Sequence, residues 1–377
     1  MKVALVSDAI APWHVGGKEY RYRELLTHMP KDADITVYTM RWWEESAPAG
    51  HEALMKKRPM YRPDGRRSSW QALLFALSCL RLLNKRMDVI EADHMPGPQL
   101  IVLKFVAIFK KVPLVVSWHE HWGKQGWQEY LPGKWWLGAV VEWLGARCAD
   151  IVVAVMETTR QRLINSGVSS RRVELVPNGV YVDDPGFRGE RNGAVAFGRL
   201  TPHKRFDLAI SAIAEGRKKG IATPLLIIGD GPERARLENL SRKLEVTDLV
   251  KFTGTLPTQK DVWHVVQRSK ICIMPSEREG FGLSVAESLW LGTPVIVSDH
   301  RDNAARGFIT EGINGYIASS GDPEDFAVGL HVLQDIDHET IAHTFRTSNL
   351  VVPWEESAQR LYEVWVRAWE QKQGKHE

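Results

Sequence analysis

The chain has 377 residues, of which 44% are hydrophobic and 25% charged, a composition typical of a globular protein with room for two cores. The net charge of +3 is unevenly divided: residues 1–182 hold 25 Lys/Arg against 18 Asp/Glu (+7), and residues 183–377 hold 24 against 28 (−4). The basic half is therefore expected to face something anionic. No secretory signal is expected, because the apolar run Val3–Val6 has neither a basic n-region before it nor a cleavage site. No spanning helix is expected, because no stretch reaches the necessary apolar length. Cys79, Cys148 and Cys272 lie far apart in apolar surroundings, which predicts free buried thiols and a cytoplasmic location.

Strands and helices alternate along the first half, the pattern of a parallel sheet covered by helices. Short apolar runs predict strands at Val3–Ser7, Ile35–Thr39, Val89–Glu91, Leu114–Trp118, Ile151–Val155 and Val173–Val176. Helical periodicity predicts helices at about Lys18–Met29, Trp70–Leu83, Leu100–Phe109, Trp135–Leu144 and Thr158–Asn165.

Residues 41–69 are polar, basic and rich in Pro and Gly, which predicts an irregular excursion. A solvated loop is one interpretation of its charge, and contact with anionic lipid headgroups is the other. Tryptophans cluster from Trp118 to Trp143; they can fill the core or lie at a membrane interface. Peripheral contact of the first half with an anionic membrane is therefore one expectation. The basic residues of the excursion are Lys56, Lys57, Arg58, Arg62, Arg66 and Arg67.

Two candidate sites follow predicted strands of the first half. Gly16 and Gly17 precede the first helix, where backbone N–H groups can approach an anion, although a tight turn is the more ordinary explanation of a single Gly-Gly pair. His119 directly follows a strand, and ligands of parallel sheets bind at the carboxyl ends of strands. The string His119-Glu120-His121 contains residue types that bind zinc. However, two histidines at alternate positions of a loop, with no third ligand nearby, have a spacing that suits a metal ion poorly. No metal site is expected.

The second half continues the alternation after a linker at Tyr181–Gly193 that is rich in Asp, Pro and Gly. A helix is predicted from Leu283, and a final amphipathic helix from about Trp354 to Glu370. Strands are predicted at Ala194–Phe197, Leu225–Ile228, Val250–Phe252, Ile271–Met274 and Pro294–Ser298.

The stretch Lys270–Asp299 carries the strongest functional signal. Its strand is followed by Gly280-Phe281-Gly282 and then by the helix from Leu283, so free backbone N–H groups and the helix dipole favour a phosphate there. Glu279 and Glu287 flank this turn. Carboxylates beside a phosphate site are suited to accepting hydrogen bonds from hydroxyls, which indicates a sugar ligand.

The string Glu279-Gly280-Phe281-Gly282-Leu283, with Glu287 eight positions after Glu279, resembles the EX7E signature of retaining GT-B glycosyltransferases, above all family 4, the "group 1" transferases. The resemblance covers nearly the whole chain and is most specific from Ala194 to Gly315. It implies an α/β fold of two facing, doubly wound Rossmann-like domains. These would be an acceptor-binding domain at 1–182 and a nucleotide-sugar-binding domain at 183–353, with a C-terminal helix at 354–377 crossing back to the first.

The resemblance also implies roles for single residues. Glu279 and the backbone from Gly280 to Leu283 would hold the donor sugar and pyrophosphate, and Glu287 the ribose. Arg199 and Lys204 would grip the diphosphate. His119 matches the histidine of an "HD"-like motif, with Glu120 in place of Asp, and would touch the sugar or align the acceptor. The remaining positions that would border the donor are Gly16, Gly17, Gly198, Gly229, Gly231 and Leu256.

The implied activity is retaining transfer from a nucleotide-diphosphate sugar, UDP- or GDP-linked, to a glycan, lipid-linked or small-molecule hydroxyl. It would follow a front-face mechanism without a metal cofactor, and no nucleic-acid partner is expected. One loop departs from the family: His300–Gly307 replaces a Gly-Gly-x-Pro-Glu segment, which leaves the donor open. An epimerase of the same fold, which would need carboxylates in the first domain, a phosphorylase and a non-catalytic sugar- or lipid-binding module are the alternatives.

Overall fold

The structure is a computed structural model that describes residues 1–14, 16–61, 67–183, 186–187, 189–319, 321–348 and 350–374. Arg62 and Arg66 of the basic excursion, and Asp184, Pro185 and Arg188 of the expected linker, lie outside the described residues. The chain divides into unit 1, Met1–Gly179 with Pro353–Glu377, and unit 2, Val180–Val352. The sequence had predicted domain boundaries after residues 182 and 353, whereas the units of the structure change after residues 179 and 352.

Thirteen strands are present among the described residues, and every pairing between them is parallel. They are β1 (Lys2–Val6), β2 (Asp34–Arg41), β3 (His51–Lys56), β4 (Val89–Asp93), β5 (Leu114–Trp118), β6 (Ile151–Ala154), β7 (Val173–Leu175), β8 (Ala194–Phe197), β9 (Leu225–Ile228), β10 (Val250–Gly254), β11 (Ile271–Met274), β12 (Val295–Ser298) and β13 (Gly315–Ala318).

The α-helices of the described residues connect these strands. They are α1 (Gly17–His28), α2 (Ser69–Ser78), α3 (Gln99–Lys110), α4 (Gly123–Tyr130), α5 (Trp135–Cys148), α6 (Glu157–Asn165), α7 (Phe206–Lys218), α8 (Arg234–Lys243), α9 (Gln259–Arg268), α10 (Leu283–Trp290), α11 (Pro323–Val332), α12 (His338–Arg346) and α13 (Trp354–Gln373). Four short 3₁₀ turns accompany them, at Cys79–Asn84, Ser170–Arg172, Pro202–Lys204 and Ala304–Phe308.

Unit 1 is a seven-stranded sheet in the order β3-β2-β1-β4-β5-β6-β7. Helices α2, α3 and α5 pack side by side, and α1 packs against α13. The C-terminal helix is therefore part of the first unit, as expected. Its buried Trp365 donates a hydrogen bond from Nε1 to Glu91 of β4 at 2.9 Å, which ties the helix to the sheet.

One expectation about unit 1 was wrong. Residues 41–69 are not irregular throughout, because His51–Lys56 forms β3. This edge strand pairs in parallel with β2, beginning with Val37 opposite His51. The pairing is non-local, and the strand itself, His-Glu-Ala-Leu-Met-Lys, lacks the β-branched residues that favour a strand. Helix α4 was not predicted either.

Unit 2 is a six-stranded sheet in the order β10-β9-β8-β11-β12-β13. Strands β8, β11 and β12 are buried along their whole length, which is why short apolar runs predicted them well. Both units are thus Rossmann-like α/β sheets covered by helices. No helix among the described residues has the length and apolarity needed to cross a bilayer. Cys79 and Cys272 are buried free thiols, as expected, whereas the free Cys148 is partly exposed.

Candidate functional site

In unit 2 the site lies at the carboxyl ends of β8 and β11, which are neighbours in the sheet. The chain after β8 leads to Lys204, and the chain after β11 leads to Glu279. The two loops are joined by the Glu277 N–H, which donates to the His203 carbonyl at 2.9 Å. This junction is the point where the strand order of the sheet reverses, which is where ligands of open α/β sheets bind.

Lys204 and Glu279 form an ion pair across these loops. Lys204 Nζ donates to Glu279 Oε1 at 2.5 Å, and Ser276 Oγ donates to the same oxygen at 2.8 Å. The two charged side chains are 18% and 14% exposed, so both can still be reached from solvent. The structure thus brings together two residues for which separate roles were predicted.

Glu279 is also held through its backbone. Its N–H donates to the Asp302 carbonyl at 3.0 Å, and its own carbonyl accepts from Ala304 N–H at 2.9 Å. The 300–307 loop, where the sequence departs from the family pattern, therefore supports the carboxylate. The unusual loop preserves the position of Glu279 by main-chain hydrogen bonds, which depend little on the side chains present.

The glycine-rich turn has a conformation that requires glycine. Gly282 has φ +87°, and a Cβ there would lie 2.3 Å from the Cβ of Ala305. Phe281 is buried and packs on Phe308 with ring centroids 5.1 Å apart, so its backbone, not its ring, is what a ligand could meet. Helix α10 then begins at Leu283, and its N-terminus has no side-chain cap among the described residues. Its first N–H groups therefore favour an anion.

Glu287 lies on α10 and is only 7% exposed. It accepts a hydrogen bond from Gln259 Nε2 of α9 at 3.1 Å, a partner that the sequence did not indicate. Leu256 is half-buried in the chain after β10, and Arg199 is exposed after β8. Neither side chain has an ion-pair or hydrogen-bond partner among the described residues.

Gly198, Gly229 and Gly231 let the loops after β8 and β9 approach closely. The Gly198 N–H donates to the Ile228 carbonyl at 2.9 Å. A Cβ on Gly229 would lie 2.0 Å from the Gly198 carbonyl oxygen. These glycines therefore have a packing reason of their own, and their contact with a donor stays a prediction.

His203 is a site residue that sequence reasoning missed. Burial, followed by the neighbouring charge of Lys204, lowers the pKa of its imidazole to about 4. His203 is therefore neutral near pH 7 and adds no charge beside Lys204. Its position directly before Lys204, which the resemblance had assigned to the diphosphate, was the signal that could have found it.

In unit 1 a buried charge cluster lies at the carboxyl ends of β1 and β4, again neighbours in the sheet. Lys18 Nζ lies 2.5 Å from Asp93 Oδ2 and 3.0 Å from Asp8 Oδ1. Arg67 donates to the other oxygen of Asp8 at 2.6 Å. Burial alone would lower the pKa of Lys18, but Asp8 and Asp93 raise it above its ordinary value. The sequence did not predict this cluster, although both aspartates stand at or just beyond a strand end.

His119 lies beside this cluster. Its Nε2 is 3.8 Å from Asp93 Oδ1 and, among the described residues, has no hydrogen-bond partner. Burial lowers the pKa of the imidazole to about 3, against the attraction of Asp93. His119 is therefore a neutral imidazole near pH 7, able to exchange a hydrogen bond with a hydroxyl.

The two glycines at the start of α1 have different surroundings. A Cβ on Gly16 would lie 2.5 Å from Glu19 Oε2, whereas a Cβ on Gly17 would meet no atom within 4 Å. Burial raises the pKa of the Glu19 carboxyl. Gly16 thus packs against a carboxyl group, and Gly17 borders open space. Contact of either glycine with an anion stays a prediction.

His121 points to a different partner from His119. Its Nδ1 lies 3.6 Å from Glu142 Oε1. Glu142 also accepts from the backbone N–H groups of Trp122 at 2.9 Å and Gly123 at 2.8 Å, so it organises the loop after β5. No three metal-binding side chains come together within the described part of the chain.

Two family models match the sequence. The model described as Glycosyl transferases group 1 matches residues 181–340, and the model described as Glycosyltransferase Family 4 matches residues 15–184. The family 4 match includes Lys18 and Asp93 but begins after β1 and Asp8, and the group 1 match includes all six strands of unit 2 with Lys204 and Glu279. The second half of the chain is thus similar to the group 1 glycosyl transferases, and the first half to glycosyltransferase family 4.

Two curated relatives each match less than half of the chain. A 2-deoxystreptamine glucosyltransferase of Streptomyces kanamyceticus is 30% identical over 172 residues, 42% of this chain and 44% of that protein. A GDP-mannose-dependent alpha-(1-6)-phosphatidylinositol monomannoside mannosyltransferase of Mycolicibacterium smegmatis is 29% identical over 194 residues, 46% of this chain and 50% of that protein. The chain thus spans half or less of the length of these relatives.

Solved structures share the fold. HepE of Anabaena, in complex with UDP and glucose, aligns with a TM-score of 0.72 at 18% identity, covering 97% of this chain and 99% of that chain. The apo form of the lipopolysaccharide outer core galactosyltransferase WaaB aligns with a TM-score of 0.69 at 18% identity, covering 96% and 99%. At this identity the likeness shows the GT-B fold and no more.

Proposed function

We propose that the protein is a retaining glycosyltransferase that moves a sugar from a nucleotide-diphosphate donor to a hydroxyl acceptor. The observation that carries this proposal is the pair Lys204 and Glu279 beside the N-terminus of α10. A cation and a helix N-terminus suit a diphosphate, and a carboxylate at the same point suits sugar hydroxyls.

Lys204 and Arg199 stabilise the departing diphosphate in this proposal. Negative charge grows on the leaving phosphate in the transition state, so fixed cations there lower the barrier. Without a ligand, Lys204 is paired with Glu279. Binding of the donor would draw the ammonium towards phosphate and free Glu279 to accept hydrogen bonds from the sugar.

The donor is a UDP- or GDP-linked hexose. Glu287 holds the ribose hydroxyls, since it is a nearly buried carboxylate on the helix that receives the phosphates. Leu256 borders the base. The names of similar proteins support both nucleotides: the Mycolicibacterium smegmatis relative is GDP-mannose-dependent, and HepE was crystallised with UDP and glucose.

The acceptor hydroxyl belongs to a glycan, a lipid-linked molecule or a small molecule, and it is received by unit 1. The neutral His119, with an unsatisfied Nε2, is suited to orienting that hydroxyl. The leaving phosphate takes the proton of the acceptor on the same face of the sugar. Relatives named for a phosphatidylinositol mannoside and for 2-deoxystreptamine support both a lipid and a small-molecule acceptor.

The reaction needs no metal in this proposal, because Lys204 and Arg199 neutralise the leaving group. Full turnover in the presence of EDTA is the expected result. Loss of turnover in EDTA that added Mg²⁺ restores would overturn the metal-free mechanism.

The function is tested with purified protein, UDP- and GDP-hexoses and a panel of acceptor alcohols, by measuring release of nucleoside diphosphate. Proton NMR of the product then gives the anomeric configuration, which should equal that of the donor. The variant Glu279→Gln should abolish acceptor-dependent release, and Glu215→Gln on α7, a partly exposed carboxylate away from the site loops, is the control. An inverted product would overturn the retaining mechanism, and release unaffected by Glu279→Gln would overturn the site.

An epimerase of the same fold is the second candidate, because unit 1 contains the buried carboxyl groups Asp8, Asp93 and Glu19. Such an enzyme would convert the donor sugar into its epimer without an added acceptor. NMR of the donor incubated alone with the protein separates the two. Both aspartates are paired with Lys18, which favours the transferase.

A further inference from the structure

Helix α2 and the turn after it have an unusual outer face. Trp70, Leu73, Leu77 and Leu80 are all exposed, Trp70 by 63%. Their spacing of three and four residues places them in one stripe along the helix. The opposite side of α2 is buried against the unit. A surface helix normally exposes polar residues, so an exposed apolar stripe of this kind indicates a surface that binds another molecule.

The two helices packed beside it repeat the pattern. Each of the three elements contributes four large exposed apolar side chains. On α3 they include Phe105 and Phe109, the latter 68% exposed, and on α5 they include Trp136 and Trp143. The apolar face is defined as Trp70, Leu73, Leu77, Leu80, Ile101, Phe105, Ile108, Phe109, Trp136, Leu137, Val140 and Trp143.

These side chains form one surface. Helix α2 packs on α3, and α3 packs on α5. Of the 21 large apolar side chains exposed in the described residues, twelve belong to the apolar face, and the other nine are scattered over the rest of the chain. Single exposed apolar residues are ordinary, but a contiguous apolar surface of this size marks an interaction site.

The charge around the apolar face is positive. Between residues 67 and 150, all of which the structure describes, Glu129 on α4 is the one exposed acidic residue. Five exposed Lys/Arg stand against it in the same stretch. They are Arg81, Arg86, Lys111, Lys124 and Lys134.

The basic excursion adds to this charge. Helix α2 also contacts β3, at whose end Lys56, Lys57 and Arg58 are exposed. The helices that carry the apolar face and the segments next to them in the chain therefore have an excess of exposed positive charge.

We propose that the apolar face docks on the surface of an anionic lipid bilayer. Its aromatic and aliphatic side chains would enter the boundary between headgroups and acyl chains, and the surrounding Lys/Arg would bind the headgroups. Tryptophan, present at positions 70, 136 and 143, is enriched at that boundary. A second copy of this chain fits less well, because a self-interface would bring the exposed positive charges of two copies together.

The contact surface differs from the one expected from the sequence. Trp118 is 1% exposed and belongs to the core, and Trp122 and Trp127 are half-buried. Of the tryptophan-rich segment, Trp136 and Trp143 are the members that belong to the apolar face. Helices α2 and α3, which the sequence reasoning left out of the membrane contact, supply the larger part.

The test is co-sedimentation of the full chain with phosphatidylcholine vesicles and with equimolar phosphatidylcholine–phosphatidylglycerol vesicles, at low and high salt. The chain should bind the anionic vesicles, and the binding should weaken with salt. The double variant Phe105→Ser/Phe109→Ser should weaken binding about a hundredfold, because each buried phenylalanine changes partitioning by roughly tenfold. The matched control is Val328→Ser/Val332→Ser, an exposed apolar pair with the same spacing on α11.

The results separate the proposal from its competitors. If the chain stays in the supernatant with anionic vesicles at low salt, or if the phenylalanine variant sediments like the unmodified chain, the proposal is wrong. Analytical ultracentrifugation without lipid addresses the second copy: a dimer that Phe105→Ser/Phe109→Ser converts to a monomer would make the apolar face a self-interface. These outcomes do not depend on glycosyl transfer, so a failure here leaves the proposed function untouched. Unchanged circular dichroism of both variants shows that they remain folded.

Discussion

Replacing Lys204 by alanine tests the leaving-group role most directly. Its Nζ lies 2.5 Å from Glu279 Oε1, and both side chains are mostly buried. In the proposed mechanism this ammonium moves to the departing diphosphate. Loss of one preorganised charge-stabilising donor typically raises the barrier by about 3–4 kcal/mol, so kcat should fall by about 10²–10³.

The same substitution has a second, separable effect on the ion pair. Without Lys204, Glu279 keeps the Ser276 hydroxyl and the backbone bonds to the 302–304 segment. Because solvent can reach the carboxylate, the loss of stability should be modest, about 1 kcal/mol. A thermal melt of the variant therefore distinguishes a chemical defect from unfolding.

The assay is nucleoside diphosphate release at saturating donor and acceptor, with kcat and KM measured separately. Lys218→Ala on α7 is the matched control, since Lys218 is an exposed lysine paired with Glu215. In a double-mutant cycle of Lys204→Ala and Glu279→Gln, the effects of the two substitutions on kcat should be strongly non-additive, because the two side chains are in contact. A folded Lys204→Ala variant with near-normal kcat would refute the assignment of Lys204 to the leaving group.

Two further predictions concern the carboxylates. Glu287→Ala should weaken binding of free UDP or GDP, whereas Glu279→Gln should leave binding of the free nucleotide unchanged and weaken binding of the intact sugar donor. Calorimetric titration of both ligands against both variants measures these affinities. Equal losses of affinity for both ligands in both variants would mean that the roles are misassigned. Burial raises the pKa of Glu91 to about 7 from an ordinary value near 4.5. The folded state therefore binds the extra proton between these values, and the free energy of unfolding should fall by about 3 kcal/mol as pH rises from about 4.5 to about 7. Glu91→Gln should remove that slope in denaturant titrations at a series of pH values, and an unchanged slope would contradict the assignment.

Local patterns in the sequence were sufficient for the interior of each sheet. Strands β5, β8, β9 and β11 have the bounds expected from their apolar runs, because a strand buried on both faces has a continuous apolar sequence. The edge strand β3 has no such run and exists through its pairing with β2. An edge strand of this kind is therefore predicted from the strand with which it pairs more than from its own sequence.

The sequence identified single residues of the candidate site, but it did not predict the contacts between them. The resemblance assigned Lys204 and Glu279 to the same donor, but it did not predict that these residues, 75 positions apart, form an ion pair. The pairing depends on β8 and β11 lying side by side, although β9 and β10 come between them in the chain. The cluster of Lys18, Asp8 and Asp93 was missed for the same reason.

The order of the strands explains why both charged clusters lie where they do. In unit 1 the chain proceeds from β1 outward to β2 and β3, and then returns to place β4 on the other side of β1. In unit 2 it proceeds from β8 to β9 and β10, and then places β11 beside β8. At each reversal the loops leave the sheet in opposite directions and open a crevice at the carboxyl ends of the two strands. Lys18 with Asp93 occupies the first reversal, and Lys204 with Glu279 the second. Buried charges require partners, so at each reversal a cation lies against a carboxylate.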